Sequence, residues 1–144
     1  MSIRRGDGLA QQEHTGAIIR AFFEVYNELG FGFLESMYAS ALEQEIRAGG
    51  LAVGREVGVR IMYKGREVAW QRVDMLVAGL VVVEIKATPK LAESAAPQLF
   101  NYLRATHLQV GLLLHFGPKP SFFRIYAQAH PKKSVHPDVS VKSV

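Results

Sequence analysis

Hydrophobic positions recur with two different periods along the chain, and together these periods predict a mixed α/β protein. Apolar and aromatic residues return at near-helical spacing over residues 15–29, which predicts a first helix. A second helix is predicted over residues 34–48, because the pattern there ends at the pair Gly49-Gly50. The same spacing predicts a third helix over residues 93–106.

Short runs of apolar and β-branched residues predict the strands of a sheet. The run over residues 80–87 contains three consecutive valines, which is typical of a buried central strand. We therefore expect one α/β domain with a mixed central sheet of about four or five strands flanked by helices. The predicted strands cover residues 57–63, 67–77, 80–87, 110–116 and 122–127.

Both ends of the chain lack this patterning. Residues 1–13 are polar and contain glycine, so we expect a flexible N-terminal arm there. The folded domain is then expected over residues 14–128. Residues 129–144 contain lysine, histidine and proline and predict a flexible basic tail that attracts phosphate without specificity. An ordered extension and a dimer arm are the alternatives for this tail.

Charged residues interrupt the apolar pattern at the predicted central hairpin. Asp74 lies in the strand before the turn, and Glu84 and Lys86 lie in the strand after it. Because strand side chains alternate between faces, Glu84 and Lys86 point to the same face. Charged side chains are rarely buried without a partner or a metal, so these three residues draw attention to the hairpin.

The loop length of this hairpin decides whether the two carboxylates meet. A two-residue turn at Ala78-Gly79 would pair Asp74 with Val83 and turn it away from Glu84. A three-residue loop, or one bulged residue, would place Asp74 directly opposite Glu84. We predict the longer loop or the bulge, because only that register makes the carboxylates converge.

Convergent carboxylates beside an ammonium group have the chemistry of a Mg²⁺ site. This ion takes one or two carboxylates and completes its shell with water and substrate phosphate. It can activate water at a phosphodiester, and Lys86 would orient that water or neutralise the charge that develops on the phosphate. The alternative interpretation is a salt-bridged surface stripe on an edge strand, since an acid followed by Glu-x-Lys is a short and common pattern.

Short motifs follow one another along most of the chain. They are Gly32-Phe33-Leu34-Glu35-Ser36-Met37-Tyr38, Tyr63-Lys64-Gly65, Arg72-Val73-Asp74, Val83-Glu84-Ile85-Lys86-Ala87, Gln98-Leu99-Phe100-Asn101-Tyr102-Leu103, and Gly111-Leu112-Leu113 with Phe116-Gly117. Over residues 15–126 their order resembles that of the PD-(D/E)XK nuclease superfamily, and within it the small bacterial GxxExxY proteins. The sequence departs from the usual pattern at Phe31, where a proline is common, and at Tyr26 and Ala95, where histidines are common.

The resemblance implies a core of the restriction-endonuclease type with a metal held by Asp74 and Glu84. The main-chain carbonyl of Ile85 is expected as a further ligand, and Glu35 as another, directly or through water. The alternative for Glu35 is local, because the helix dipole favours a carboxylate in the first turn. Tyr38 is expected on the same helical face as Glu35, where it would contact phosphate or hold Glu35 in place.

Gln98 and Tyr102 share one face of the third predicted helix, because they are one helical turn apart. The pair resembles a motif of the exonuclease-like branch of the superfamily, which implies that both side chains lie beside the metal and orient the scissile phosphate. The alternative is that Gln98 bonds a nearby loop and Tyr102 belongs to the core. Arg124, in the last predicted strand, lies on the phosphate path or is a solvated strand residue.

Composition and charge limit the possible functions. The chain has 144 residues, a formal net charge of +4 and no cysteine, which excludes disulfides and thiolate metal sites and favours an anionic partner. No apolar run has the length of a membrane span, and we expect a cytoplasmic protein. The sequence predicts a Mg²⁺- or Mn²⁺-dependent nuclease acting on DNA rather than RNA, with a homodimer as an open option. The alternative is a module of the same fold that binds nucleic acid or protein without cutting.

Overall fold

A sheet at the centre of the molecule is covered by helices on both faces. The computed structural model describes residues 5–127 and 141–143. The helices are α1 (Arg5–Leu29), α2 (Glu35–Ala48) and α3 (Ala95–Thr106), and the strands are β1 (Val53–Tyr63), β2 (Arg66–Val77), β3 (Val81–Lys86), β4 (Val110–Phe116), β5 (Pro120–Tyr126) and β6 (Val141–Ser143). The predicted α/β class is confirmed.

The sheet is mixed, as predicted, and has the order β5-β4-β3-β2-β1-β6. Successive strands β1, β2 and β3 pair antiparallel, and so do β4 and β5. Among the strands that the structure describes, the one parallel pair is β3 with β4, between which the chain passes through α3. A parallel pair needs such a crossover, so α3 is held against the face of the sheet by the connection itself.

Two apolar clusters fill the space between the sheet and the helices. The larger one packs α1 and α2 against one face and contains the fully buried Phe22, Tyr38 and Phe116. The smaller one packs α3 against the other face through Leu99 and Leu103. Burying a large apolar side chain stabilises a fold by about 1.5–3 kcal/mol, so the clusters fix β3 and β4 firmly between the helices.

The first helix begins at Arg5, ahead of the start predicted at Thr15. Residues 5–13 of the predicted arm are thus helical, and the flexibility expected for this arm stays a prediction. The sequence reason is that alanine, glutamine and glutamate favour helix and outweigh the two glycines of this segment.

The predicted tail over residues 129–144 is described only at β6. Its three residues pair antiparallel with Val57–Val59 of β1 and add a short edge strand. That part matches the ordered extension named as an alternative, and the remainder of the tail lies outside the described residues. Across the described ranges, no helix combines the length and apolar character needed to cross a membrane.

Candidate metal site at the fork of two strands

The hairpin between β2 and β3 has the loop length that brings Asp74 and Glu84 together. Its ladder pairs Val77 with Val81, which leaves a loop of three residues, 78–80. Continued by one step past its last pair, this register places Asp74 opposite Glu84. The predicted loop length is confirmed by this register.

The three-residue loop consists of a tight two-residue turn followed by one additional residue. Ala78 and Gly79 both have positive φ angles, 54° and 66°, and the Leu80 N–H donates to the Val77 carbonyl at 3.0 Å. Two left-handed residues in succession are the geometry of the tight turns that join antiparallel strands. Leu80 is the additional residue before the ladder starts, and it shifts the register by one position.

Beyond Met75 and Val83, the last paired residues, side-chain carboxylates accept the main-chain hydrogen bonds in place of carbonyl groups. The Asp74 N–H donates to Oε1 of Glu84 at 3.1 Å, and the Ile85 N–H donates to Oδ2 of Asp74 at 2.7 Å. We call this place, formed by Asp74, Glu84 and Ile85, the fork. Each carboxylate uses one oxygen for the main chain and retains a second oxygen for another ligand.

The pleat of the sheet is broken beside the fork. Val73 packs into the cluster under α3, whereas Met75 packs into the cluster under α1 and α2. Residues two apart on a regular strand share a face, so the backbone must change face at Asp74. The residue of β1 that lies next to Asp74 is Glu56, whose φ angle of 48° is left-handed. The break therefore takes Asp74 out of the regular alternation of β2.

An open pocket of about 170 Å³ adjoins the fork. A single water needs roughly 10–15 Å³ of such volume, so several waters or a hydrated ion fit into it. Its walls come from the first turns of α2, from β1 and from the fork. The lining residues are Glu35, Ser36, Ala39, Arg55, Glu56, Asp74 and Ile85.

Burial raises the pKa of both carboxyl groups at the fork. The pKa of Glu84 rises from 4.5 to about 7 because the group is desolvated and because the charges of Asp74 and Glu35 disfavour its ionised form. The pKa of Asp74 is also raised by burial, against the opposing effects of the Ile85 N–H and of the Lys86 and Arg55 charges. Two acids held at this energetic disadvantage are typical of functional sites.

Two cationic side chains lie near these acids. Lys86 is half-buried, and its charge lowers the pKa of both Asp74 and Glu84. Arg55 lines the pocket, and its Nη1 donates to Oε1 of Glu43 at 3.1 Å. The sequence analysis missed Arg55 and Glu56 because it began the first strand at Val57. The signal was a pair of adjacent charges just before that strand.

The other predicted catalytic residues lie at different distances from the fork. Glu35 is exposed at the first residue of α2, on the wall of the pocket. Tyr102 is half-buried on α3, and its pKa is raised by burial and by the charge of Glu84, which places the phenol near that carboxylate. Gln98 is exposed one turn earlier on the same helix.

The predicted phosphate contact of Tyr38 is wrong, because this residue is completely buried. Its hydroxyl donates to the Gly30 carbonyl and accepts the Phe33 N–H at 3.3 Å. Its ring stacks on Phe116, with centroids 4.1 Å apart. Tyr38 thus fixes the start of α2 and, with it, the position of Glu35.

Arg124 is exposed on β5, two strands away from β3. Its guanidinium lies 5.6 Å from the ring centroid of Phe122, a cation–π contact on the same strand. The structure does not bring Arg124 into the pocket beside the fork, and a contact with the phosphate path stays a prediction.

A metal at the fork stays a prediction, and a weakly ligated, water-rich cation is the kind that its donor atoms fit. Among the residues that the structure describes, no group of three or more His, Cys, Asp or Glu side chains is arranged to hold a metal. Mg²⁺ takes one or two carboxylates from a protein and keeps several waters, so Asp74 and Glu84 with the Ile85 carbonyl meet its requirement. A thiolate- or histidine-rich zinc site does not fit these residues.

Comparison with known proteins shows the family. No curated protein matches the chain. The crystal structure of SSO0001 is similar at 19% sequence identity and a TM-score of 0.49, over 67% of this chain and 52% of that one. The chain thus spans about half the length of that protein. The family described as the PD-(D/E)XK nuclease superfamily matches residues 12–125, which include every element from most of α1 to β5. The chain therefore belongs to the PD-(D/E)XK nuclease superfamily.

Proposed function

We propose that this protein hydrolyses phosphodiester bonds of DNA with the help of Mg²⁺ or Mn²⁺ bound at the fork. The observation that carries the proposal is the reciprocal pair of bonds between Asp74 and the main chain of β3 and between Glu84 and the main chain of β2. Both carboxyl groups are desolvated, and Asp74 lines an open pocket. The motif Gly32-Phe33-Leu34-Glu35-Ser36-Met37-Tyr38 extends the proposal to the GxxExxY group within the superfamily.

Asp74, Glu84 and the Ile85 carbonyl would hold the cation. A cation bound there supplies positive charge and a water of lowered pKa. Glu35 lines the same pocket as Asp74 and would orient that water. Lys86 follows Glu84 by two residues on β3, so the two side chains leave the same face, and its ammonium group would stabilise negative charge on a phosphate oxygen.

Two residues of α3 would orient the scissile phosphate. The Tyr102 phenol is protonated near neutral pH even at its ordinary pKa, which burial and the Glu84 charge raise further, so its hydroxyl can donate a hydrogen bond to a phosphate oxygen close to Glu84. Gln98 lies one turn away on the same helix and is exposed, so its amide is free to approach the substrate from solvent. The chain's net charge of +4 favours a polyanionic substrate in general. A cytoplasmic location stays a prediction.

The test is metal-dependent cleavage of end-labelled single- and double-stranded DNA by wild type and by Asp74→Asn. Asparagine keeps an oxygen for the Ile85 N–H but loses the charge, so the fold is preserved while the ligand is weakened. We expect the rate to fall at least about a hundredfold, since even groups that only orient metal ligands contribute 10–100-fold.

The matched control is Glu93→Gln, which removes a carboxylate from an exposed position outside the pocket. This variant should cut as wild type does. Cleavage that is equal in wild type and Asp74→Asn would contradict the proposal. A wild type that neither binds metal nor cuts would instead favour the module that binds without cutting.

A further inference from the structure

Four large apolar side chains are exposed around the start of α2, next to the candidate metal site. Phe31, Phe33, Leu34 and Met37 expose 42%, 43%, 66% and 49% of their surfaces. We call these four residues the apolar rim. Burying such side chains would stabilise the fold, so a concentration of them within seven consecutive positions indicates a surface that contacts a partner.

The rim is held rigidly rather than carried on a slack loop. Tyr38 anchors it from below, because its hydroxyl bonds both the Gly30 carbonyl and the Phe33 N–H. The ring of Phe33 meets the ring of Tyr38 edge to face, with centroids 6.0 Å apart and planes at 87°. Gly30 and Gly32 have φ angles of 70° and 116°, a backbone shape that other residues rarely adopt.

This rigidity makes the exposed rings suitable for binding. A partner that stacks on Phe31 and Phe33 does not have to order the loop first, because its shape is already fixed. Pre-organisation of this kind increases affinity by removing an entropic cost of association.

The rim is continuous with the pocket at the fork. Leu34 directly precedes Glu35 and Ser36, which line the same pocket as Asp74 and Ile85. A substrate whose phosphate lies at Asp74 would therefore have the rim beside it, next to the α2 wall of the pocket. Over a few residues this edge changes from the pocket-lining Glu35 to the exposed phenyl rings of Phe33 and Phe31, so a base beside a phosphate in the pocket would lie within their neighbourhood.

We propose that Phe31 and Phe33 stack on unpaired bases next to the phosphate in the pocket, so that the substrate is a single strand or an unpaired end. The proposal rests on the proposed function, which it narrows to a substrate class. A duplex hides the faces of its bases within the stack, whereas an unpaired base offers its face to an aromatic ring. Stacking of this type is tolerant of sequence, because every base has such a face.

The experiment measures binding of fluorescently labelled oligothymidylate, and of a blunt duplex of the same length, by anisotropy with Ca²⁺ in place of Mg²⁺. The variants are Phe31→Ala and the double variant Phe31→Ala/Phe33→Leu, in which leucine keeps part of the contact with Tyr38. The matched control is Phe123→Ala, which removes an equally exposed phenyl ring from β5. Thermal melts establish that each variant is folded, and Phe31→Ala alone is decisive if the double variant is not.

Stacking predicts that the rim variants lose about 5- to 100-fold in affinity for the single strand, with the duplex unaffected and Phe123→Ala unchanged. Equal losses on both substrates, or no loss, would overturn the inference. So would a dimer that the rim variants convert to a monomer in light scattering, because the rim would then be a protein interface.

Cleavage of the same oligothymidylate in Mg²⁺ separates this inference from the proposed function. If wild type and rim variants cut equally well, the stacking fails and the nuclease proposal stands. If the rim variants lose single-strand binding but wild type cuts nothing with any divalent metal, the stacking stands and the nuclease proposal fails.

Discussion

The two ends of β3 belong to one six-residue strand but have opposite environments. Val81, Val82 and Val83 are paired with β2 on one side and β4 on the other, and all three are buried. Glu84 and Lys86 remain paired with β4 but have lost β2. The candidate site therefore lies where a central strand keeps one partner strand and loses the other. The loss leaves main-chain groups without a neighbouring strand and leaves space for polar side chains.

The polar end compensates for the lost ladder with its own side chains. Buried main-chain N–H groups need acceptors, and the carboxylates of Asp74 and Glu84 provide them for the strand opposite each. The compensation is incomplete, because burial still raises the pKa of Glu84 to about 7. The apolar end stabilises the fold, whereas the polar end is destabilised when it carries two negative charges.

Replacing Lys86 should have the largest effect. Lys86→Met removes the ammonium group that would stabilise the reacting phosphate, and we expect kcat to fall by about 10²–10³-fold with metal still bound. Single-turnover cleavage at saturating metal measures this. Lys90→Met, just beyond the strand and exposed, is the control and should cut normally. A Lys86→Met protein with unchanged kcat would show that the polar end lacks this role.

Glu84→Gln should stabilise the metal-free protein at pH 8 by about 3 kcal/mol, because it removes a desolvated charge while retaining an acceptor for Asp74 N–H. The folded state raises the pKa of this acid, so folding favours its neutral form. The contribution of Glu84 to stability is therefore full below its ordinary pKa of 4.5 and is lost as the pH rises to about 7.

Urea unfolding across this pH range, with a chelator present, measures the difference between wild type and Glu84→Gln. The difference should be near zero in acid and reach its full size above neutrality. Glu45→Gln, on the exposed side of α2, should show no such dependence. A difference that is independent of pH would mean that Glu84 is not desolvated.

Tyr38→Phe should destabilise the protein by about 1–2 kcal/mol, because it removes the hydroxyl that bonds Gly30 and Phe33. Cleavage should fall less than about tenfold, as expected for a residue that positions Glu35 without touching phosphate. Tyr63→Phe, at an exposed position, is the control for stability. A large loss of kcat without a loss of stability would restore a direct role for Tyr38.

Ala78→Gly should have the smallest effect, at the apolar end of β3. Its φ of 54° suits glycine better than alanine, and we expect a gain of about 0.5 kcal/mol in stability with unchanged cleavage. Ala105→Gly, within α3, should lose about 1 kcal/mol by the ordinary helix preference. If Ala78→Gly alters metal binding, the substitution has changed the pairing of β2 with β3. The register at the fork would then depend on the turn and not only on the paired residues.

The sequence predicts the parts of this site that depend on strand periodicity. The length of the loop between β2 and β3 decides whether Asp74 lies opposite Glu84. The sequence favours the longer loop only because the carboxylates then meet, and the structure has that register. The inward orientation of Tyr38 could not be predicted in the same way. Helical spacing shows that Tyr38 and Glu35 are neighbours, but which of them faces the core depends on Phe116, a residue distant in sequence.

The break in the pleat beside the fork was also beyond sequence patterning. The left-handed conformation of Glu56 has no glycine or asparagine to signal it, and it carries Arg55 and Glu56 to the pocket wall. Alternation of apolar residues assumes a regular strand, so it fails at the position where the strand is irregular. The early start of α1 is hidden by two glycines and by polar residues, which weaken the helical pattern of this segment.

Calorimetric titration of Mn²⁺ into wild type, Asp74→Asn and Glu84→Gln at pH 8, with Glu93→Gln as control, decides whether the fork binds a metal. We predict that wild type and the control bind the ion, whereas the two fork variants, folded by circular dichroism, do not. Binding that persists in both fork variants would place the ion elsewhere. A wild type without binding at millimolar Mn²⁺ would contradict the central claim that the fork is a metal site.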